Sequence, residues 1–257
     1  NHALIGWVPA TGTVSGSAGT TISLAQKNQA DYAVADNGTE YAVVWSQDVG
    51  GKLCIMGARI SHAGVLLTPT PVNITASVYG QQTQPSIAWN GSQYLLAWCG
   101  NETYVDTNLD IRGFRLNADL SPKDAAPIPI CTAIEIQCTP SVCSNGNKFL
   151  VVWNDSRNAI APNYYTDIYG AMVDANGTVT ALASAVSMSI GNQKKPRAAC
   201  DGTNYFVVWE DYRTGSSLIY GAKVTSTGSV SPSAGIPLPV TSSWQTAPFI
   251  TFGGGNY

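Results

Sequence analysis

Residues Pro196 to Val224 read PRAACDGTNYFVVWEDYRTGSSLIYGAKV. The segment divides into three short strands. The first runs from Pro196 to Cys200. Asp201-Gly202 then reads as a tight type I′ turn, whose central positions need φ > 0. Tyr205 to Trp209 is aromatic and β-branched, the composition of a strand. A polar loop leads to a third strand around Ile219-Tyr220-Gly221.

The same pattern recurs along the chain. The strand-opening positions are Tyr32, Pro85, Pro140, Pro196 and Pro248, spaced by 53, 55, 56 and 52 residues. Three residues earlier stands a glutamine in every copy: Gln29, Gln82, Gln137, Gln193 and Gln245. The turn follows at Asn37-Gly38, Asn90-Gly91, Asn145-Gly146, Asp201-Gly202 and Gly253-Gly254. Next come Tyr41, Tyr94, Phe149, Tyr205 and Tyr257, and then the tryptophans Trp45, Trp98, Trp153 and Trp209. A weaker fourth strand, such as Ala126 to Ile130, closes each unit. Its prolines suit an outermost strand that need not donate every ladder bond. Four antiparallel strands per roughly 50 residues is the pattern of a β-propeller blade.

The reading is an all-β chain and one five-bladed β-propeller. Blade 1 covers about 30–80, blade 2 about 81–136, blade 3 about 137–192 and blade 4 about 193–244. Blade 5 is a composite of 245–257 and 1–28, since Leu4-Ile5-Gly6 matches the third-strand signature and Pro248 to Tyr257 matches the first strand. Such a closure leaves no sheet edge. A second alignment sets Ala3 to Trp7 on Tyr94 to Trp98, but leaves its blade short. In the composite blade the second strand is missing. Unpaired backbone groups there cost about 1–3 kcal/mol each, so the gap is expected to be filled by further residues of the same chain, by collapse of its flanking strands or, the favoured reading, by a neighbouring copy that propagates a filament or tube.

Only 11% of residues are charged and the net charge is −3, which offers no basic block for nucleic acid or an anionic membrane. No apolar run approaches the roughly 20 residues of a membrane span. Two histidines, His2 and His62, and cysteines without a CxxC pair argue against zinc. No metal or other cofactor is expected. Cys131–Cys138 is the first expected disulfide, because its short loop costs little closure entropy. Cys143–Cys200 and Cys54–Cys99 are the remaining expected pairs, with free thiols as the alternative. Six sequons, at Asn37, Asn73, Asn90, Asn101, Asn154 and Asn176, fit a glycosylated protein outside the cell or on its surface.

The string P-x-x-x-x-D/N-G-x-x-Y/F-x-V-V-W-x-D-x-R followed by I-Y-G, best seen at Pro140–Gly170 and Pro196–Gly221, resembles extracellular prokaryotic propeller repeats of the TolB-type/WD40-like group. The resemblance implies a binding or scaffold module, and repeats one and two lack the Trp-x-Asp-x-Arg string.

Candidate ligand residues lie after the second strand of each unit. Tyr104, Tyr164, Tyr165 and Tyr212 sit among Asn, Asp and Thr, with Trp244 on the same face. Such tyrosines suit glycan or protein recognition. Asp155 with Arg157 and Asp211 with Arg213 follow tryptophan at one offset, either as ligands or as structural pairs capping the loop. The tryptophans fit packing between blades. The five glutamines form either a channel-rim ring or a set of bonds to the backbone. Asp155, Asp174 and Asp211 lack a calcium-loop string. Five-bladed glycosidases need paired carboxylates near the axis. Here Asp36 stands alone against Trp89, Ser144, Cys200 and Phe252 in its register. The expectation is therefore a non-enzymatic structural or adhesive module that binds copies of itself. A lectin-like carbohydrate- or protein-binding propeller is the alternative, and a glycosidase-like enzyme is third.

Overall fold

The computed structural model describes residues 3–7, 15–23, 29–101, 108–159, 165–239 and 244–257, the first two segments as backbone alone. The described chain is all-β, and four of its sheets are four-stranded and antiparallel. β1 (Ala3–Trp7) and β2 (Ser15–Ser23) form a separate antiparallel pair. The first four-stranded sheet holds β3 (Gln29–Asp36), β4 (Glu40–Val49), β5 (Lys52–Ser61) and β6 (Val72–Asn73). The second holds β7 (Gln82–Trp89), β8 (Tyr94–Gly100), β9 (Asp110–Leu116) and β10 (Ile128–Cys131). The third holds β11 (Gln137–Ser144), β12 (Phe149–Asp155), β13 (Asp167–Val173) and β14 (Val179–Ala181). The fourth holds β15 (Gln193–Cys200), β16 (Tyr205–Asp211), β17 (Leu218–Val224) and β18 (Val230–Pro237). Each sheet is a sequential meander, consistent with a β-propeller.

The core lies between successive sheets. Trp98, Phe114 and Leu96 pack with Val44, Ile55 and Ala42 of the first sheet. Phe149, Val151 and Trp153 pack with Leu95, Ala97 and Ile111. Tyr205, Val207 and Trp209 pack with Leu150, Val152 and Ile168. Alternate residues of each middle strand thus face opposite neighbours, which is why β4, β8, β12 and β16 are almost wholly buried.

The hairpin turns differ from the expected type I′ form. Each is a four-residue loop, as in Asp201 to Asn204 between paired Cys200 and Tyr205. Only its glycine, Gly202, has positive φ, at 91°. The Asp201 carboxylate accepts the Thr203 and Asn204 amides at 2.8 and 2.7 Å. Asn37, Asn90 and Asn145 make the same pair of bonds. An Asx side chain supplies the turn that a second left-handed residue would otherwise make.

The inner strands carry a shared irregularity. Register shifts fall between Ala30 and Ala33, Thr83 and Ser86, Cys138 and Ser141, and Lys194 and Arg197. At each, a non-glycine residue is left-handed: Asp31, Gln84, Thr139 and Lys195 have φ of 54, 53, 54 and 51°. Ala247, in the fifth copy of the repeat, has φ of 54°. Residues 245–257 otherwise form only an isolated bridge, Gly253 to Asn256. Among the described residues they share no sheet with β1 or β2.

The disulfide differs from expectation. Cys99 of β8 is bonded to Cys138 of β11, with a Cα separation of 5.1 Å. Cys54, Cys131, Cys143 and Cys200 are free thiols. Cys131 and Cys138 are close in sequence, but β10 and β11 lie at opposite edges of successive sheets. The Cys131 sulfur instead accepts from Arg157 Nη2 at 3.0 Å. Cys143 and Cys200 pack in one cluster without a bond. The Cys143 thiol is pushed well up by burial, and further by the neighbouring Cys200. Peptide mapping without reduction is expected to recover a Cys99–Cys138 cross-link and an alkylatable Cys131. A cross-link between Cys131 and Cys138 would overturn the assignment.

Candidate functional site

The tryptophan-centred candidates form a structural knot. Trp153 Nε1 donates to Asp155 Oδ2 at 2.8 Å, and Trp209 Nε1 to Asp211 Oδ2 at 2.9 Å. Asp155 and Asp211 are fully buried. Each accepts the guanidinium and the backbone amide of the arginine two residues on. These bonds hold Arg157 and Arg213 further above their usual range. Arg157 then lies 4.1 Å over the Tyr169 ring and Arg213 lies 4.0 Å over Tyr220. In the first sheet Gln47 replaces the acid and accepts from Trp45 at 3.0 Å. In the second sheet Gly100 stands at that position and Trp98 Nε1 has no partner among the described residues. The ligand reading of Asp155, Arg157, Asp211 and Arg213 gives way to loop capping, because their polar atoms are spent on one another.

The glutamines are likewise internal. Gln29, Gln82, Gln137 and Gln193 are buried. Gln82 donates to the Tyr79 and Gly80 carbonyls, and Gln137 and Gln193 repeat this on their own preceding turns. Gln245 accepts the Ile219 amide at 2.9 Å. They bind the entry to each inner strand rather than a channel-rim ligand.

Of the tyrosine candidates, Tyr104 and Tyr164 lie outside the described residues, and Tyr165 is 40% exposed. Tyr212 and Trp244 come together edge-on, with ring centroids 6.1 Å apart. The sequon residue Asn90 is buried, whereas Asn37 sits at an exposed turn.

The structure gathers a different set of side chains where the inner strands converge. A cavity of about 570 Å³ is lined by Asp31 to Val34, Gln84 to Ile87, Thr139 to Val142, Lys195, Arg197, Ala198, Phe249 and Ile250. All five copies of the repeat contribute. Tyr32 and Phe249 present exposed rings, at 48% and 84%. The Tyr32 phenol is raised, by burial first and then by the Asp31 charge.

Side chains of one sheet cap the bulged backbone of the next. Asp31 Oδ2 accepts the Gln84 amide at 3.3 Å and the Ser46 hydroxyl at 3.0 Å. Gln84 Oε1 accepts the Thr139 amide at 2.9 Å. Glu210 Oε1 accepts the Ala247 amide at 2.7 Å and Lys195 Nζ at 3.0 Å. Glu210 Oε2 accepts from Tyr212 at 3.2 Å. The Trp244–Tyr212 pair thus adjoins the cavity through Glu210 and Lys195. None of Asp31, Lys195, Arg197 and Glu210 lies at the Asp36 register, where the sequence places the innermost acids. The signal for Asp31 and Lys195 is the position just before the strand-opening residue.

No protein-family model matches the chain, so the resemblance to TolB-type repeats finds no support there. No curated protein sequence matches it either. Solved structures do share the fold. An α-L-arabinanase from Penicillium chrysogenum, in complex with arabinobiose, has a TM-score of 0.59 at 15% identity. The match covers 89% of this chain and 78% of that one. A thermostable family-43 glycoside hydrolase matches with a TM-score of 0.54 at 11% identity, over 82% and 72% of the two chains. The haemagglutinin-neuraminidase of parainfluenza virus 5 has a TM-score of 0.58 at 9% identity, covering 88% of this chain and 65% of that one. At such identities the likeness is one of fold. It corrects the expectation of a non-enzymatic structural, adhesive or filament-forming module, because the matching folds include glycoside hydrolases.

Replacing Asp211 by Ala leaves Trp209 Nε1 and Arg213 without their acceptor. The expected loss is about 3 kcal/mol of unfolding free energy. Asp36 pairs with His62 in an exposed bridge at 3.0 Å, so Asp36→Ala is expected to cost under about 1 kcal/mol. Urea denaturation of both variants measures the difference, and equal losses would refute the structural role of the knot.

Proposed function

We propose that this chain is a five-bladed β-propeller that hydrolyses glycosidic bonds in the cavity between its inner strands. The blades follow the boundaries given above, the fifth built from 245–257 and 1–28. The left-handed Ala247, together with Phe249 and Ile250 in the cavity wall, supports a fifth unit. The glycoside-hydrolase neighbours support the substrate class.

One observation carries the reading. At the bulge register the repeats share a backbone, with φ between 51 and 54°, yet present Asp, Gln, Thr, Lys and Ala. A register kept only for packing would repeat its side chain, as the glutamine register does. Five different side chains around one cavity suit an asymmetric ligand. Left-handed non-glycine residues cost of order 1–3 kcal/mol each and cluster at functional sites.

The chemistry of glycoside hydrolysis needs two carboxyl groups. Asp31 Oδ2 is held by Ser46 and Gln84, while Oδ1 has no hydrogen bond among the described residues. Asp31 is assigned the base or nucleophile: it takes a proton from the attacking water, or attacks the anomeric carbon itself. Lys195, which lines the cavity and is held there by the buried Glu210, is assigned the group that gives a proton to the leaving oxygen in place of a second carboxyl. The exposed rings of Tyr32 and Phe249 offer sugar-stacking faces, and Tyr212 with Trp244 extends them. The cross-sheet disulfide and the exposed sequon at Asn176 support an extracellular setting.

Reducing-sugar release is measured over neutral and acidic polysaccharides, arabinan among them. The wild-type protein is expected to cleave at least one. Asp31→Asn is expected to lower kcat about 10²–10⁴-fold with an unchanged circular-dichroism spectrum. No cleavage across the panel, or full activity in Asp31→Asn, would overturn the proposal.

A further inference from the structure

Arg197 is the group in the cavity that the proposed hydrolysis leaves unused. It lies on β15 just beyond the bulge, in the cavity wall. It is half-buried, and it makes no ion pair among the described residues. Its one hydrogen bond runs from Nη1 to the Pro196 carbonyl at 2.9 Å. Nε and Nη2 have no protein partner among the described residues. Arg157 and Arg213, of the Trp-x-Asp-x-Arg string, by contrast each hold a buried carboxylate.

The nearby acids are already engaged. Glu210 receives Lys195, Tyr212 and the Ala247 amide, and Asp31 receives Ser46 and Gln84. Burial lowers the Arg197 affinity for its proton, and the Glu210 charge works against that. An arginine keeps its charge under such shifts, so the cost of burying it stands until an anion arrives. The remaining edge of its guanidinium offers two parallel N–H groups, which match the two oxygens of a carboxylate. The wall around it holds Pro85, Pro140, Val142 and Phe249, and its other charges, Asp31 and Lys195, already have partners in Ser46, Gln84 and Glu210. Arg197 is therefore the charge in this wall whose paired N–H groups are left for a bidentate contact.

We propose that Arg197 makes this cavity selective for a carboxylate-bearing sugar, bound through the carboxylate with the sugar face against the exposed ring of Phe249 or Tyr32. This rests on the carbohydrate reading above and narrows its substrate class. Uronic and sialic acids share the chemistry, and the probes distinguish them.

Isothermal titration of the whole chain is carried out with trigalacturonate and with its methyl ester, which keeps the sugar and removes the charge. Sialyllactose and lactose form a second matched pair. At least one acidic member is expected to bind 10-fold or more tightly than its neutral partner, the size of a charge-assisted hydrogen-bond pair. Arg197→Gln is expected to abolish that preference, and Arg197→Lys to restore part of it. The wild-type comparison is independent of how well the variants fold. Equal affinity for charged and neutral partners would overturn the selectivity and leave the carbohydrate reading standing. A preference that survives Arg197→Gln would overturn the role of Arg197. Binding of none of the four would overturn both.

Discussion

The inner strand of each sheet cannot satisfy its own backbone, and the structure depends on how that is resolved. A bulge removes one residue from the ladder and turns its amide out of the sheet. A buried amide without a partner costs about 1–3 kcal/mol. Here the amide of Gln84 is met by Asp31, that of Thr139 by Gln84, and that of Ala247 by Glu210. Three residues beyond the bulge, the Val142 amide meets Ser86 Oγ at 3.0 Å and the Ala198 amide meets Ser141 Oγ at 3.1 Å. Each sheet therefore completes its neighbour. The bonds do what hydrophobic packing between sheets cannot: they fix the height of one inner strand against the next, and so place the cavity wall.

The outer half of each sheet is fixed differently. The knot of Trp, Asp and Arg ties the end of the second strand to the loop that follows. Its glutamine neighbour ties the entry of the first strand. Both act mainly on neighbouring turns and loops, which explains why they survive as repeats: a similar local problem recurs from copy to copy. The second sheet lacks the acid, having Gly100, and it is this sheet that carries the covalent link from Cys99 to Cys138.

Much of this was legible in the sequence and some was not, for physical reasons. The period of the tryptophans, the Asx-Gly turns and the isoleucine-glycine pairs marks sheet-forming strands, since each is dictated by local packing or turn chemistry. The four meanders follow from it. The turn type was missed because Asp201 acts through its side chain and keeps an ordinary backbone. The disulfide was missed because nearness along the chain says little when β10 and β11 occupy opposite edges of their sheets. The site was missed because a bulge shifts the inward position. The register compared across the repeats holds a single acid, Asp36, which pairs with His62 on the surface, while Asp31 and Lys195, each just before a strand opening, line the cavity. Nothing in Asp31 or Lys195 alone announces a left-handed φ.

What separates scaffold from site within the repeats is the variation at each register. The glutamine register is invariant across five copies, and in three of them, Gln82, Gln137 and Gln193, it satisfies the same pair of preceding carbonyls. The bulge register has an equally constant backbone, and Ala247 proves that this backbone needs no functional group to form. The Asp, Gln, Thr and Lys at the other four positions are thus not demanded by the left-handed geometry. Asp31 and Gln84 do cap their neighbours, but Lys195 projects to Glu210, and the cap on Ala247 comes from the second strand. The chain meets one structural requirement by several chemical routes, which frees the side chains at this register to differ around the cavity. Selection for a ligand with distinct ends can act on that freedom without disturbing the packing between sheets. A repeated backbone in this way acquires an asymmetric cavity wall, with a carboxylate at Asp31 and, at Arg197, a guanidinium without an ion pair among the described residues.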